Sequence, residues 1–344
     1  MDTINTILRS NNGNRYLLYV NESIDKSMDI HAWNSESIKK VILLSSVMNS
    51  YVEGTASFLK ICGQTVRNNL KQQLPEWIMA YNDNIIKMMK ELGAFRKPVI
   101  VAMDWHDIMY YGDPEAEGVK GTQAKKGTHW AYQFATASVV VGDEKFTVAV
   151  TPVTYESIVE HVKRLLLKVL GFGIKIKLLL LDAGYYSVEV INLLNALGIR
   201  FIMRAHNNGT FRVGDDIMYT TKSSKLPARD QATFRVVAFN GRDKFGHLEL
   251  FVFATNTDLK PKMIRKIFRK RWAIETSYRM ISQFLPKTTS KVYSLRKLYF
   301  YLAVLFYNLW VFVNYKHERV IVQHVKLEVI LSVILSNIYW IING

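Results

Sequence analysis

Two aspartates stand at the ends of short apolar runs. Asp104 closes the run Val-Ile-Val-Ala-Met-Asp, and Asp182 closes the run Lys-Leu-Leu-Leu-Leu-Asp. Apolar runs of this length suit buried strands, and ligands of open α/β sheets gather beyond the carboxyl ends of the strands. We therefore expect both side chains to project into one crevice if the two strands are neighbours. The alternative is that each aspartate only begins a turn.

A third carboxylate, Glu275, follows a run of lysines and arginines in a predicted helix. Spacings of three and four residues place it on one helical face with Phe268, Arg271 and Tyr278. Such a glutamate could simply neutralise Arg271 or Arg279 as a partner four residues away. The second interpretation is a metal ligand beside arginines that bind phosphate.

Three convergent carboxylates favour hard divalent cations such as Mg²⁺ or Mn²⁺, which take oxygen ligands. The chain has a single cysteine, Cys62, which excludes a cysteine-based zinc site and an intramolecular disulfide. Two such ions about 4 Å apart can activate a water or a 3′-hydroxyl and stabilise the leaving oxygen in an attack on a phosphodiester. Phosphoryl transfer is therefore the chemistry that these residues favour.

The charge of the chain points to a polyanionic partner. The 344 residues carry a net charge of +16, and 49% of them are hydrophobic, which favours a folded protein that binds nucleic acid or an anionic membrane surface. Candidate contacts to nucleic acid lie in the late basic helix, in a Gly/Thr-containing loop and in an early polar helix. They are Arg269, Lys270, Arg271, Arg279, Lys125, Lys126 and Arg67. For the loop lysines, ordinary solvent exposure is an equally good interpretation.

The first part of the chain has the apolar spacing of helices from Ser35 to Leu92. Within it, Gly63–Lys71 has a turn glycine and polar side chains, as in the second helix of a helix-turn-helix. An ordinary packing helix is the alternative. Lys97-Pro98 ends the helical pattern and marks a boundary. We therefore predict a helical, DNA-binding domain over residues 1–97.

From Pro98 the pattern alternates strand, hairpin, helix, strand, helix and strand, which predicts an α/β domain with a mixed sheet. Residues 206–259 form a β-rich insertion with two strand-like runs, Ala232–Phe239 and Leu248–Thr255, separated by Asn240-Gly241. A long basic helix begins at Pro261, and two further helices follow. We assign residues 98–205 and 260–344 to the catalytic domain and 206–259 to the insertion.

Leu298–Val313 is nearly all apolar and close to the length of a transmembrane helix. It contains Asn308 and has no equally apolar companion, so a buried core helix is the favoured interpretation over a membrane span. The first 22 residues lack the apolar run of a secretion signal. We expect a cytoplasmic protein.

These motifs together resemble a known family, the DDE transposases of prokaryotic insertion sequences. The stretch Val-Ala-Met-Asp-Trp-His-Asp around Asp104 resembles the family's first acidic motif, and Leu-Leu-Leu-Asp-Ala-Gly-Tyr-Tyr-Ser around Asp182 resembles the second. The family signature Tyr-x2-Arg-x3-Glu-x6-Lys corresponds here to Phe268, Arg271, Glu275 and Ser282. The resemblance extends over about residues 99–314. The acids stand in the family's order, 78 and then 93 residues apart.

The resemblance implies a ribonuclease-H-like core in which Asp104, Asp182 and Glu275 bind two Mg²⁺ or Mn²⁺ ions and Arg271 contacts the DNA end. It further implies a homodimer that cleaves paired terminal inverted repeats and joins them to target DNA, in a prokaryotic cell and near the nucleoid. Phe268 lacks the hydroxyl of the usual tyrosine, and Ser282 replaces the usual lysine. These departures motivate a second hypothesis, a catalytically inactive DNA-binding protein derived from a transposase.

Overall fold

The computed structural model describes residues 12–30, 34–125, 127–141, 144–154, 156–207, 209–221, 231–242, 246–317 and 319–343. Side chains at 12–14, 272–275 and 337–343 lie outside this description. The chain divides into two compact units. The helical unit comprises Met1–Ala94, Met109–Tyr132 and Ser277–Gly344, and the sheet unit comprises Phe95–Ile108 and Gln133–Thr276.

These compact units differ from the three predicted domains. The helices after residue 277 belong to the helical unit, whereas the sequence assigned residues 260–344 to the catalytic domain. The compact units are groups of residues that contact one another, whereas the predicted boundaries separate parts of the chain with different functions. The division into 1–97, 98–205 with 260–344, and 206–259 therefore stays a prediction.

Seven helices form most of the part of the helical unit that the structure describes. They are α1 (Asn12–Ser27), α2 (Ser35–Met48), α3 (Val52–Phe58), α4 (Gly63–Lys71), α5 (Pro75–Glu91), α9 (Tyr293–Lys316) and α10 (Val322–Asn343). Pro75 opens α5 at a position where a missing backbone N–H costs nothing. Strand β2 (Val119–Lys125) pairs antiparallel with the residues from Thr128 to Tyr132.

Among the described residues, one helix, α9, is long and apolar enough to cross a membrane. In the structure, 89% of its most apolar window is buried inside the protein. Asn308, at its centre, donates a hydrogen bond of 2.6 Å from Nδ2 to Oδ1 of Asn82, and both side chains are buried. Buried polar groups require such partners. The helix is thus part of the core, as the sequence favoured.

The sheet unit is built on one mixed sheet. Its strands are β1 (Val99–Met109), β3 (Thr128–Val141), β4 (Glu144–Pro152), β5 (Ile176–Leu181), β6 (Phe201–Arg204), β7 (Asp216–Thr220), β8 (Thr233–Arg242) and β9 (Leu248–Thr255). Their order across the sheet is β4-β3-β1-β5-β6-β9-β8-β7. Strands β1, β5 and β6 run parallel, and β6, β9, β8 and β7 pair antiparallel.

Helices cover both faces of this sheet. On one face, Phe268 of α8 (Pro261–Ser282) packs edge-on against Phe253, with ring centroids 4.7 Å apart. On the other face lies α6 (Ile158–Gly171), whose His161 ring contacts Trp105 at 5.7 Å. Helix α7 (Val188–Ala196) is capped by Ser187, whose hydroxyl accepts from the Val190 amide. The predicted α/β class, a mixed sheet flanked by helices, is confirmed.

Two local predictions were wrong. Strand β1 does not end at Asp104 but continues to Met109, because it leaves its partner β5 while β3 remains beside it. Asn240-Gly241 does not separate the two predicted strands, since both residues pair with β9 within strand β8. A Cβ at Gly241 would lie 2.7 Å from the Phe251 ring, so this glycine permits a close approach of the ring rather than a reversal of the chain.

Candidate functional site

The two predicted aspartates lie side by side on neighbouring parallel strands. The last paired residues of β1 and β5 are Met103 and Leu181, so the next position on each strand places Asp104 beside Asp182. Adjacent strands are about 4.8 Å apart. The sheet therefore holds two carboxylates next to each other where β5 ends, 78 residues apart in sequence.

Arg271 of helix α8 spans the two carboxylates. Its Nη1 donates a hydrogen bond of 2.7 Å to Oδ2 of Asp104, and its Nη2 lies 3.8 Å from Oδ1 of Asp182. Arg271 is 6% exposed and Asp104 is 8% exposed. A charge-assisted bond at this length is among the strong ones, and removing one partner would leave the other charge buried and uncompensated.

The two acids differ in their surroundings. The second oxygen of Asp104, Oδ1, accepts a hydrogen bond of 2.9 Å from the backbone amide of Trp105. Asp182 precedes a short 3₁₀ turn (Ala183–Tyr185), yet its side chain makes no capping bond there, and 40% of that side chain is exposed. Asp104 is thus the fixed member of the pair, and Asp182 is the member that faces solvent.

A second arginine flanks the pair. Leu181 pairs with Met203, so the next position places Arg204 beside Asp182 on strand β6. Its guanidinium bonds Oε1 of Glu249 at 2.6 Å and lies 4.0 Å from the Phe251 ring centroid. Burial lowers the pKa of Arg204, an effect opposed by the carboxylates of Glu249 and Asp182. The guanidinium remains charged at neutral pH.

An aromatic layer supports the acids from the opposite face. Side chains alternate along a strand, so Trp105 points away from Asp104, toward helix α6. Its ring stacks on Tyr185 at 4.9 Å and 15°. A Cβ at Gly184 would lie 3.2 Å from Trp105 Nε1. The residue after one acid thus packs against the turn after the other.

Helix α8 has two chemically different faces. Ile264, Phe268 and Arg271 are buried. The rest of the helix surface is exposed and carries five cations, Lys262, Arg265, Lys266, Arg269 and Lys270, of which Arg265 also lies over the Phe239 ring, 5.4 Å from its centroid. Within the described part of the chain, none of these five forms a salt bridge. The predicted DNA contacts Arg269 and Lys270 therefore stand on a basic face, while Arg271 points the other way.

The remaining predicted residues are placed as follows. The backbone of Glu275 lies one helical turn beyond Arg271 on α8, but its side chain lies outside the described residues, as does all of Lys126. Lys125 ends strand β2, and Lys125 and Arg279 are exposed in the helical unit. Arg67 of α4 pairs with Glu53 at 3.7 Å.

The two carboxylates beside the end of β5 fit the chemistry of a hard cation. Two carboxylates in register, one of them open to solvent, are the oxygen ligands that Mg²⁺ and Mn²⁺ prefer. No group of three or more acidic, histidine or cysteine side chains able to hold a metal occurs among the described residues. The Glu275 side chain, the third carboxylate of the sequence prediction, lies outside the described residues.

Sequence reasoning missed two of these residues. Arg204 is the last residue of the third parallel strand, β6, just as each aspartate is the last residue of an apolar run. Because ligands gather beyond the carboxyl ends of such strands, the same reasoning would have identified Arg204. Trp105 follows Asp104 directly, but its stacking on Tyr185 depends on a contact between residues 80 positions apart. No local sequence pattern predicts that contact.

The chain is similar to known proteins both in sequence and in fold. Residues 95–309 match the model of the family described as "Transposase DDE domain". Among solved structures, the chain is similar to a piggyBac transposase in a synaptic complex with hairpin DNA, with a TM-score of 0.55 and 11% identity. The match covers 96% of this chain and 72% of that one. A search of curated proteins gives no match. Because the family model matches more than half of the chain, the chain belongs to the transposase DDE domain family.

Proposed function

We propose that this protein is a DNA transposase that cleaves DNA at transposon ends and transfers the ends to target DNA in a metal-dependent reaction. Membership of the transposase DDE domain family and the mixed sheet flanked by helices support the general function. The observation that carries the finer proposal is the pair Asp104 and Asp182, in register on parallel strands and spanned by Arg271.

Asp104, Asp182 and Glu275 would hold two divalent ions, Mg²⁺ or Mn²⁺. When bound, such ions supply an activated water or 3′-hydroxyl and stabilise the leaving oxygen of the phosphodiester. The chain's own contribution is placement. The sheet register sets the separation of the aspartates, the Trp105 amide orients one carboxylate, and the stack of Trp105 on Tyr185 holds the turn that carries the other.

The partner is double-stranded DNA, both the terminal inverted repeats and the target. The exposed basic face of α8 supports this proposal because five neighbouring cations suit a phosphate backbone. Arg271, Arg279, Lys125, Lys126 and Arg67 are the further proposed contacts. A homodimer on paired ends and a cytoplasmic, nucleoid-associated location in a prokaryote belong to the same proposal.

The test uses the full-length purified protein and a supercoiled plasmid that carries the DNA flanking its own gene. We expect nicks that leave a 3′-hydroxyl at the boundary of the element, only with Mg²⁺ or Mn²⁺ present. Glu275→Gln should abolish nicking and leave binding to the same DNA intact. Nicking that persists in that variant would remove Glu275 from the site.

A catalytically inactive DNA-binding protein is the second candidate. It is favoured by Phe268, which lacks a hydroxyl and is buried against Phe253. The same plasmid assay separates the two candidates. Specific binding to the flanking DNA without nicking in any divalent metal would support the inactive protein.

A further inference from the structure

Arg271 occupies the place where the acid pair needs a positive charge. Its two terminal nitrogens face one oxygen of Asp104, at 2.7 Å, and one of Asp182, at 3.8 Å. Two neighbouring carboxylates repel each other unless a cation lies close to both. In this structure the guanidinium fills that role.

Both carboxylate oxygens of Asp104 accept hydrogen bonds within the protein. One of its oxygens is engaged by Arg271 and the other by the amide of Trp105. A divalent ion that binds Asp104 would sit within a few ångströms of a buried guanidinium, and like charges at such distances repel strongly where water is excluded. The same oxygen cannot serve both cations at full strength.

We propose that Arg271 is the resident counter-charge of the acid pair, and that it competes with divalent metal for the two aspartates until a DNA phosphate draws it off. The inference rests on the proposed metal site. Arg271 thereby sets the metal affinity of the free protein, and metal and DNA bind with positive cooperativity, because each favours release of the guanidinium from Asp104.

A matched residue on the same helix allows a controlled test. Arg269 is two positions away, exposed, and on the opposite face. Removing its charge changes the net charge as much as removing that of Arg271, but it leaves the acid pair untouched. Only the Arg271 variant should therefore alter the affinity of the acid pair for metal.

The experiment titrates MnCl₂ into full-length protein without DNA and follows binding by water-proton relaxation. We expect Arg271→Gln to bind Mn²⁺ at least about tenfold more tightly than the wild type, because a charge-assisted bond no longer has to be broken. Arg269→Gln should bind as the wild type does. Equal or weaker binding by Arg271→Gln would overturn the proposal.

Two further measurements keep the test decisive. Arg271→Lys retains a charge without the two-pronged contact and should have an affinity between wild type and Arg271→Gln. If Arg271→Gln is unstable without metal, Mn²⁺ should raise its melting temperature more than that of the wild type, and an equal rise would count against the competition.

The control Asp182→Asn separates this inference from the metal site itself. If Asp182→Asn abolishes Mn²⁺ binding but Arg271→Gln does not strengthen it, the competition fails and the site stands. If Asp182→Asn binds Mn²⁺ as the wild type does, the metal site fails. Cooperativity is tested last by repeating the titration with a duplex present and subtracting the signal of Asp182→Asn. The duplex should strengthen Mn²⁺ binding to wild type and not to Arg271→Gln.

Discussion

Two arginines on helix α8, only two residues apart, have opposite environments. Arg271 is buried between Asp104 and Asp182, whereas Arg269 is exposed among four other cations. Burial makes the first contact strong, directional and dependent on its partners, while water and salt weaken any contact made by the second. Under the proposed function, one arginine of this helix belongs to the reaction centre and the other contacts the DNA backbone.

The largest effect on strand cleavage is expected from a change in one of the two aspartates that face Arg271. Asp182→Asn should reduce strand cleavage by at least about 1,000-fold, because metal ligation supplies several kcal/mol of stabilisation and each 1.36 kcal/mol is tenfold in rate. DNA binding should be retained, since the basic face is unchanged. Gel assays of nicking and binding measure the two effects.

Asp258→Asn is the matched control for that experiment. The Asp258 side chain is 94% exposed and pairs with Arg200 in the same unit, so its loss should leave cleavage within about twofold. If the two variants cleave equally well, Asp182 is not part of the reaction centre.

The second-largest effect is expected from the aromatic layer beneath the acids, which Trp105 and Tyr185 form. Trp105→Ala removes the stack on Tyr185 and should lower the free energy of unfolding by about 2 kcal/mol, less than the roughly 3–5 kcal/mol typical of a fully buried aromatic. Misplacement of the carboxylates should also slow cleavage about 100-fold. Trp105→Phe should preserve most of both. Cleavage at the wild-type rate in a folded Trp105→Ala protein would show that the layer does not position the acids.

The exposed face should give a smaller, salt-dependent effect. The double variant Arg269→Gln/Lys270→Gln should weaken DNA binding about tenfold, and the slope of log K against log salt should fall by about 0.9 for each phosphate that is no longer neutralised. The double variant Lys163→Gln/Arg164→Gln, on helix α6, removes the same residue types where each is paired with a glutamate. An equal weakening in both would mean that total charge, not the face of α8, determines binding.

The smallest effect is expected from restoring the family tyrosine. Phe268→Tyr places a hydroxyl beside Phe253 in a buried position. We expect a loss of about 1 kcal/mol in the free energy of unfolding and a cleavage rate within about threefold of the wild type. A gain of tenfold or more would show that the missing hydroxyl limits this protein. Thermal unfolding and the nicking assay provide the measurements.

The sequence predicted the strands that carry the acids because their apolar runs are local signals. It could not predict the register that brings Asp104 beside Asp182, since register depends on pairing between distant segments. Nor could it show that Arg271 faces the acids while Arg269 faces solvent, because the direction of the helix face depends on packing. Asn240-Gly241 was placed between two strands because these residue types commonly break strands, whereas pairing with β9 keeps both inside strand β8.

Under the proposed function, Asp104, Asp182 and Glu275 surround bound metal. Fe²⁺ can replace Mg²⁺ in such a site, and with ascorbate and peroxide it generates radicals that cut the nearby backbone. Fragments of the full-length protein, mapped by mass spectrometry, should show cuts near residues 104, 182 and 275 that excess Mg²⁺ and Asp182→Asn both suppress. Cuts near 104 and 182 with none around 275, or cuts that Asp182→Asn leaves unchanged, would contradict the claim.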